Sequence, residues 1–338
     1  MDTNRKSLLY KVARLYYEEK LKKFQIARLI DCSATQVANL LREAEDDGIL
    51  RIEVCLPRLE RLRLDLIHRF DVLKDAIVIP HETVHSVLLR LLGKAAAEYF
   101  DVHVGAGARV ALGGGFLVYE LISSLTDKKR DVDAFPLALI GQGPDISHID
   151  PMIVLTMLWA KSGRLPNRAH YMTILPPENV GSLPEVKKHY DQLRKSNKKI
   201  RELLEQITKV DFAFASIGGM EVDQGYQQAT QDKTQNMLSV WGIEKNDLRE
   251  KGVVGDIAYS FYDTDGQQTR PEWDPTPSIG VKGLQRLAAD PQKRVVVVVG
   301  GYKITSLRAA LRGRLFNVLI CDEITAEALL APGLDQGR

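Results

Sequence analysis

The sequence predicts an α/β protein in two parts: an N-terminal three-helix helix-turn-helix domain over residues 1–55, then a doubly wound, Rossmann-like α/β domain over residues 56–338. Three observations carry that expectation. The stretch KLKKFQIARLIDCSATQVANLLREAEDDGILR, opening at Lys20, has helical periodicity on both sides of a tight turn. Pro57 interrupts that pattern, and beyond Asp71 strand and helix periodicities alternate. The unbroken VVVVV of residues 295–299 is what a strand buried on both faces of a parallel sheet looks like.

Residues 7–19 give the first helix, with Leu8, Leu9, Val12, Ala13, Leu15 and Tyr16 on its core side. Phe24, Ile26, Ala27, Leu29 and Ile30 form the apolar face of the second, and Asp31 and Cys32 make the turn. Ser33 is a good N-cap for the third helix. Val37, Leu40, Leu41 and Ala44 recur along it, and Gly48 sits where a C′ glycine ends a helix. Residues 49–54 alternate like a short strand, which would add a wing. Off the apolar stripe lie Ala34, Thr35, Gln36, Asn39 and Arg42, side chains free to meet base edges in a major groove. With the cap Ser33 and the phosphate-anchoring Lys23, beside Lys20, Lys22 and Arg28, they form the expected DNA-binding set. The acidic run Glu43, Glu45, Asp46 and Asp47 must then point away from the duplex. The plainer alternative is a helical hairpin whose charges are a solvated face.

A connecting helix is expected over residues 58–70. Beyond it the strand candidates are residues 76–79, 109–112, 137–141, 169–175, 211–217, 254–261, 294–299 and 316–321. The main helical patterns are 86–99, 117–125, 151–161, 185–207, 305–312 and 323–330. In doubly wound sheets of this kind, ligands bind in the crevice outside the carboxyl ends of the strands.

Composition narrows the class. A chain of 338 residues with 45% hydrophobic and 27% charged residues has room for two ordinary globular domains. A net charge of +2 makes any nucleic-acid site local. No run of eighteen apolar residues and no signal-peptide core appears, so a membrane partner is not expected. Cys32, Cys55 and Cys321 lack metal-type spacing and suit a reducing cytoplasm.

Two glycine loops are candidate ligand contacts. Gly113, Gly114 and Gly115 follow a strand and precede a helix, where backbone and helix dipole can approach an anion; a tight turn is the competing explanation. Gly300 and Gly301 repeat that context and add the charge of Lys303. Asp256 could accept from a sugar hydroxyl or cap locally, and Gln142 is a further polar candidate. His81-Glu82-Thr83-Val84-His85 is a literal H-E-x-x-H, but it follows a strand and Pro80, and no third ligand is evident. No metal site, cofactor or catalytic group is expected.

The stretches VARLYYEEKLKKFQIARLIDCSATQVANLLREAEDDGILRIEV, LGKAAAEYF, VDFAFASIGG, GVVGDIAYSFYDTDGQ and VVVVVGGYKITSLRAALRGRLFNVLICDEITAEALL resemble the SorC-type transcriptional regulators of the SorC/DeoR grouping. That resemblance implies a sugar-isomerase-like α/β effector domain, usually in a homodimer or homotetramer, that binds phosphorylated sugars or related carbohydrates and changes operator affinity. It places Asp256 and Lys303 at effector-pocket positions and Gly113–Gly115 in the phosphate-loop region. The chain departs from the family pattern Gly-Arg-Thr-Leu, reading Gly115-Phe116-Leu117-Val118; with no threonine hydroxyl, an unphosphorylated sugar or polyol becomes an alternative effector. Where the family commonly has Ser-Arg in the recognition helix, this chain has Ser33-Ala34 and Ala38-Asn39, which implies a different operator. The expectation is therefore a cytoplasmic regulator with duplex DNA and a carbohydrate as partners. An isomerase-like enzyme with an accessory helical module is the competing reading, and it lacks an arguable general base.

Overall fold

A computed structural model describes residues 3–50, 57–140, 150–162, 174–220, 233–301 and 303–331. The chain divides into two compact units, Met1–Leu56 and Pro57–Arg338. The first contains α1 (Thr3–Tyr17), α2 (Lys23–Leu29) and α3 (Ala34–Asp46). Leu9 and Val12 of α1, Ile26 of α2, and Val37, Leu40 and Ala44 of α3 close a small core, which Ile49 and Leu50 flank. Asp31 takes the left-handed conformation, φ +52°, that lets the chain reverse between α2 and α3. Ile49 and Leu50 lie in a bend, and the remainder of the expected wing strand falls outside the described residues.

The second unit opens with α4 (Pro57–Arg69) and β1 (Asp75–Ile79). There follow α5 (His85–His103), β2 (Ala108–Leu112), α6 (Phe116–Ser124), β3 (Val132–Pro136) and α7 (Pro151–Lys161). Next come α8 (Leu183–Ser196), α9 (Lys198–Ile207), β4 (Phe212–Ser216), β5 (Gly218–Gly219), α10 (Lys233–Trp241) and α11 (Lys245–Glu250). The last part holds β6 (Gly255–Ile257), β7 (Ser260–Tyr262), α12 (Gly280–Ala289), β8 (Arg294–Val298), α13 (Ile304–Arg312), β9 (Val318–Asp322) and α14 (Glu323–Leu330).

Six strands form one parallel sheet in the order β1-β9-β8-β4-β2-β3, and β5-β6-β7 form a small antiparallel sheet. Side chains along each parallel strand alternate between two cores. Val295 and Val297 of β8 enter the core that holds Leu284, Leu307 and Ala326, whereas Val296 and Val298 enter the core built on Leu88, Leu92, Leu117 and Leu155. Helices on both faces bury the sheet, which explains why the β8 run is apolar without a break.

Three expectations differ from the fold. The expected strand 137–141 begins earlier, as β3, in register Ala108↔Val132 to Leu112↔Pro136. β3 is an edge strand, so Pro136 costs the sheet no hydrogen bond. Leu137 N–H still donates to Leu112 O of β2 at 2.8 Å, but the segment then pairs elsewhere: Leu139 N–H donates to Pro277 O at 2.8 Å, Ile279 N–H to Leu137 O at 3.1 Å and Ile174 N–H to Leu139 O at 2.8 Å. The expected strand 254–261 is the hairpin β6–β7, turned through Ala258 (φ +52°) and Tyr259 (φ +60°) without the glycine that usually marks such a turn. The expected helix 185–207 is two helices, because Asn197 leaves helical geometry and its side chain accepts from Lys199 N–H at 2.9 Å as an N-cap. The helices α10, α11 and α12 were not anticipated. Of the expected strand 169–175, only residues 174 and 175 are described, Ile174 bridging Ile140.

Candidate effector site and candidate reading helix

In the parallel sheet, the chain passes from β2 to β3 on one side and from β4 to β8 and β9 on the other. The order therefore reverses between β2 and β4, and the crevice lies beyond their carboxyl ends. Three glycine-bearing turns arrive there.

The first is Gly113–Gly115, all buried, after β2. Gly113 N–H donates to Phe214 O at 2.8 Å, so its amide continues the sheet and does not offer itself to a ligand. Gly115 has φ +111° and starts α6 without a side-chain cap, a conformation that favours glycine. In the first turn of α6, Leu117 and Val118 are buried in the core, and no serine, threonine or cation stands there.

The second turn follows β8. A side chain at Gly300 would collide with Leu92 Cδ1 at 2.5 Å, so that glycine admits α5 against the strand end. Gly301, at φ +79°, has open space where a side chain would be. Lys303 caps α13 and its ammonium donates to Ile217 O at 2.9 Å, tying the β8 turn to the end of β4.

The third is Gly218–Gly219, which ends the family-like stretch VDFAFASIGG directly after β4. Its signal was present, since a glycine pair directly after a strand is the feature that marked Gly300–Gly301. Gly218 is in register with Asp256 of β6, and a side chain at Gly219 would meet Ser306 Oγ at 3.2 Å and Lys303 Cγ at 3.3 Å. Asp256 and Lys303, far apart in sequence, are thus both anchored to residues 217–219. Asp256 is buried, 4% exposed, and its Oδ2 accepts from Tyr259 N–H at 3.1 Å across the strained hairpin turn. Gln142 lies outside the described residues.

Asp274 was not anticipated. It follows Trp273 in a short 3₁₀ turn, and the hydroxyls of Ser260 and Ser278 donate to its Oδ1 at 3.3 and 3.4 Å. Burial raises its carboxyl above the ordinary aspartate value, while Arg194 and Lys187 oppose that rise. Little in the sequence marks it: Ser278 is its one near partner, and Ser260, Lys187 and Arg194 come from β7 and α8.

The H-E-x-x-H residues 81–84 precede α5, and His85 is its first residue. His81 Nδ1 lies 2.5 Å from Oδ2 of the fully buried Asp322, whose Oδ1 accepts from the Thr325 hydroxyl. The two histidines thus lack the shared helical face that a zinc site of that motif needs. Among the described residues no cluster of His, Cys, Asp or Glu is arranged to hold a metal.

In the first unit, Ser33, Ala34, Thr35, Gln36, Asn39 and Arg42 are all exposed on α3. Ser33 and Gln36 form a capping box: Gln36 N–H donates to Ser33 Oγ at 3.1 Å, and Ser33 N–H donates to Gln36 Oε1 at 2.8 Å. The amide NH₂ of Gln36 is the part left to face outward. Lys23 Nζ stands 5.6 Å from the centroid of the Tyr16 ring. Glu43, from the acidic run, takes a two-pronged contact from Arg5 of α1, Nε to Oε1 at 2.8 Å and NH2 to Oε2 at 2.5 Å. That guanidinium holds the Glu43 carboxyl below the usual range and turns its charge back onto α1.

A doubly wound domain with a glycine-lined crevice at the switch point, preceded by a small helical unit, defines the class: a sugar-binding α/β domain of a transcriptional regulator. The chain belongs to the Sugar-bind family of sugar-binding domains, which it matches over residues 58–331. It is 25% identical over 333 residues to the deoxyribonucleoside regulator of Bacillus subtilis (strain 168), covering 98% of this chain and 99% of that one. It is likewise 25% identical over 331 residues to the sorbitol operon regulator of Klebsiella pneumoniae, covering 96% and 97%. The crystal structure of full-length SorC from Klebsiella pneumoniae shares the fold, with a TM-score of 0.63 at 22% identity over 97% of this chain and all of that chain. The SorC/DeoR resemblance is thereby confirmed, and the isomerase-like alternative is not favoured. No described helix is long and apolar enough to cross a membrane.

Proposed function

We propose that α3 reads duplex DNA in the major groove, and that the crevice beyond β2, β4 and β8 binds a small carbohydrate that controls operator affinity. Residues 1–55 are the DNA-binding domain and residues 56–338 the effector and oligomerisation domain of a cytoplasmic homodimer or homotetramer. The observation that carries the effector reading is that Asp256 and Lys303 are both anchored to residues 217–219 at the end of β4, where Gly219 packs against Lys303. A carboxylate, an ammonium and close backbone approach suit an orienting site for a polyhydroxylated ligand. On α3, support comes from the exposed row Thr35, Gln36, Asn39 and Arg42 above a closed core. Lys23 contributes phosphate contact. Effector binding closes the crevice, shifts the population of oligomer geometries and so changes the half-site spacing that two α3 helices can meet.

The effector is an unphosphorylated sugar or polyol. Leu117 is buried in the core where the family pattern would offer a threonine hydroxyl, and no other serine or threonine stands in the first turn of α6. A thermal-shift screen pairing sugars and polyols with their phosphate esters tests this, since a pocket ligand stabilises the fold by mass action. Stabilisation by free sugars or polyols is expected. Stabilisation by the esters alone would overturn the unphosphorylated assignment, and no shift from any member would overturn the carbohydrate reading.

A further inference from the structure

The turn after β8 is tied to the first turn of α14. The Thr325 hydroxyl, on a residue 1% exposed, has two acceptors within reach: the Asp322 carboxylate, and Gly301 O at 3.3 Å. A hydroxyl has one proton to donate, so it holds one of the two at a time. Asp322 is fully buried at the end of β9, and its other oxygen lies 2.5 Å from His81 Nδ1. His81 N–H in turn donates to Glu323 Oε1 at 3.3 Å. Gly301 has φ +79° and open space where a side chain would stand, which leaves its peptide room to turn.

The other side of α14 holds the start of α4. Glu323 and Glu327 lie one turn apart, and at about 100° per residue Thr325 points away from both. Arg58 pairs with Glu327 and lies 3.8 Å from Glu323. The Arg58 and Glu327 side chains are 66% and 46% exposed. Exposed pairs of this kind are weak, so this one forms and breaks at little cost. Further along α4, Arg63 donates to Ala76 O and Asp75 Oδ1, both at 2.8 Å, and Leu66 is fully buried. In the first turn, Leu59 is half-buried against the core and Arg58 makes the tie to α14. Pro57 follows the boundary of the two units, so α4 is where the chain enters the second unit from the first. Ala326 and Leu329 seat α14 in the core between these contacts, so the short helix responds as one piece.

We propose that α14 couples the crevice to α4, with Thr325 and Arg58 as its positioning residues. The acceptor that the Thr325 hydroxyl holds sets the seating of α14, and Glu323 and Glu327 pass that seating to the start of α4. A ligand that draws on the Gly301 turn thereby resets where α4 begins. The use of this coupling in regulation rests on the crevice being the effector site, whereas the coupling itself needs no ligand.

The test is residue-resolved hydrogen–deuterium exchange on the full chain, without ligand or DNA. Thr325→Val removes the hydroxyl at nearly constant shape, and Thr325→Ser keeps it. Thr325→Val is expected to speed exchange at Arg61 and Leu62, the first α4 amides with an intrahelical acceptor, by about threefold or more. Thr325→Ser should match wild type. Arg58→Gln, at an exposed position, is expected to act in reverse and speed exchange at Lys303 and Leu307, whose amides donate to Gly301 O and Lys303 O. Val110 and Ala111 of β2 report on the sheet and should keep wild-type rates in every variant. Acceleration at Val110 and Ala111 by the same factor would reduce Thr325 to a structural role and overturn the coupling. So would wild-type rates at Arg61 and Leu62 in Thr325→Val, wild-type rates at Lys303 and Leu307 in Arg58→Gln, or a Thr325→Ser profile like that of Thr325→Val. A sugar and polyol screen without a hit would overturn the carbohydrate reading and leave the exchange result as it stands.

Discussion

Replacing Gln36 separates the two roles that its side chain combines. In the free protein Gln36 Oε1 holds Ser33 N–H at 2.8 Å, while its NH₂ is left to meet a base. Gln36→Ala removes the side-chain half of the capping box and should cost about 1 kcal/mol of unfolding free energy. It should also cost about 1–3 kcal/mol of operator discrimination if the amide pairs with adenine. These two losses are distinguishable, because about 1 kcal/mol taken from a typical domain stability leaves nearly all molecules folded. Gln36→Glu provides the control: its carboxylate still accepts from Ser33 N–H and suits the positive end of α3, so the cap survives. It lacks the donor that adenine N7 requires and adds negative charge near phosphate, so operator binding should fall at least as far as in Gln36→Ala. The assay is a gel-shift titration on a duplex selected by the wild-type protein from a randomised library, with a scrambled duplex alongside and urea unfolding on the same samples. Both variants binding the selected duplex as wild type does would refute the placement of Gln36 at a base edge. Equal loss on selected and scrambled duplexes would reduce its role to general DNA affinity.

Two further outcomes are expected. Asp256→Ala and Lys303→Ala should each blunt effector release or enhancement of operator binding while basal DNA affinity persists, read in the same titration with effector added; an undiminished response in both variants would move the effector site elsewhere. Asp274 should make the α/β unit less stable as pH rises. Its folded carboxyl is raised above the unfolded value by burial, so the folded state holds the proton more tightly, and stability falls as pH climbs from about 4 through the raised folded value. Asp274→Asn keeps an acceptor for Ser260 and Ser278 but cannot ionise, so its urea midpoint should gain on wild type across that window; parallel profiles would show that Asp274 does not titrate there.

The sequence by itself determined what depends on near neighbours. The apolar spacing of α3, its Ser33 cap and Gln36 partner lie within one or two turns, and α7 and α14 have the expected bounds because their start signals are local. The five valines carried the two-faced sheet, since only a strand covered on both sides needs no polar alternation. Tertiary structure decided what depends on distant partners. Leu137 and Leu139 read as a sheet strand, yet beyond Leu137 N–H, which still reaches Leu112 of β2, their hydrogen bonds go to Ile174 and residues 277–279, and no local pattern records that choice. Gly113 and Gly300 looked alike as ligand glycines, but one amide completes the pairing with β4 and the other's missing side chain makes room for Leu92. Asp256 and Lys303 became neighbours of one short segment only when β6 and α13 folded against the end of β4. Periodicity sets which face of an element is buried, because side-chain direction follows from backbone geometry alone. Which element covers that face is a competition among distant segments, and packing of the whole chain settles it.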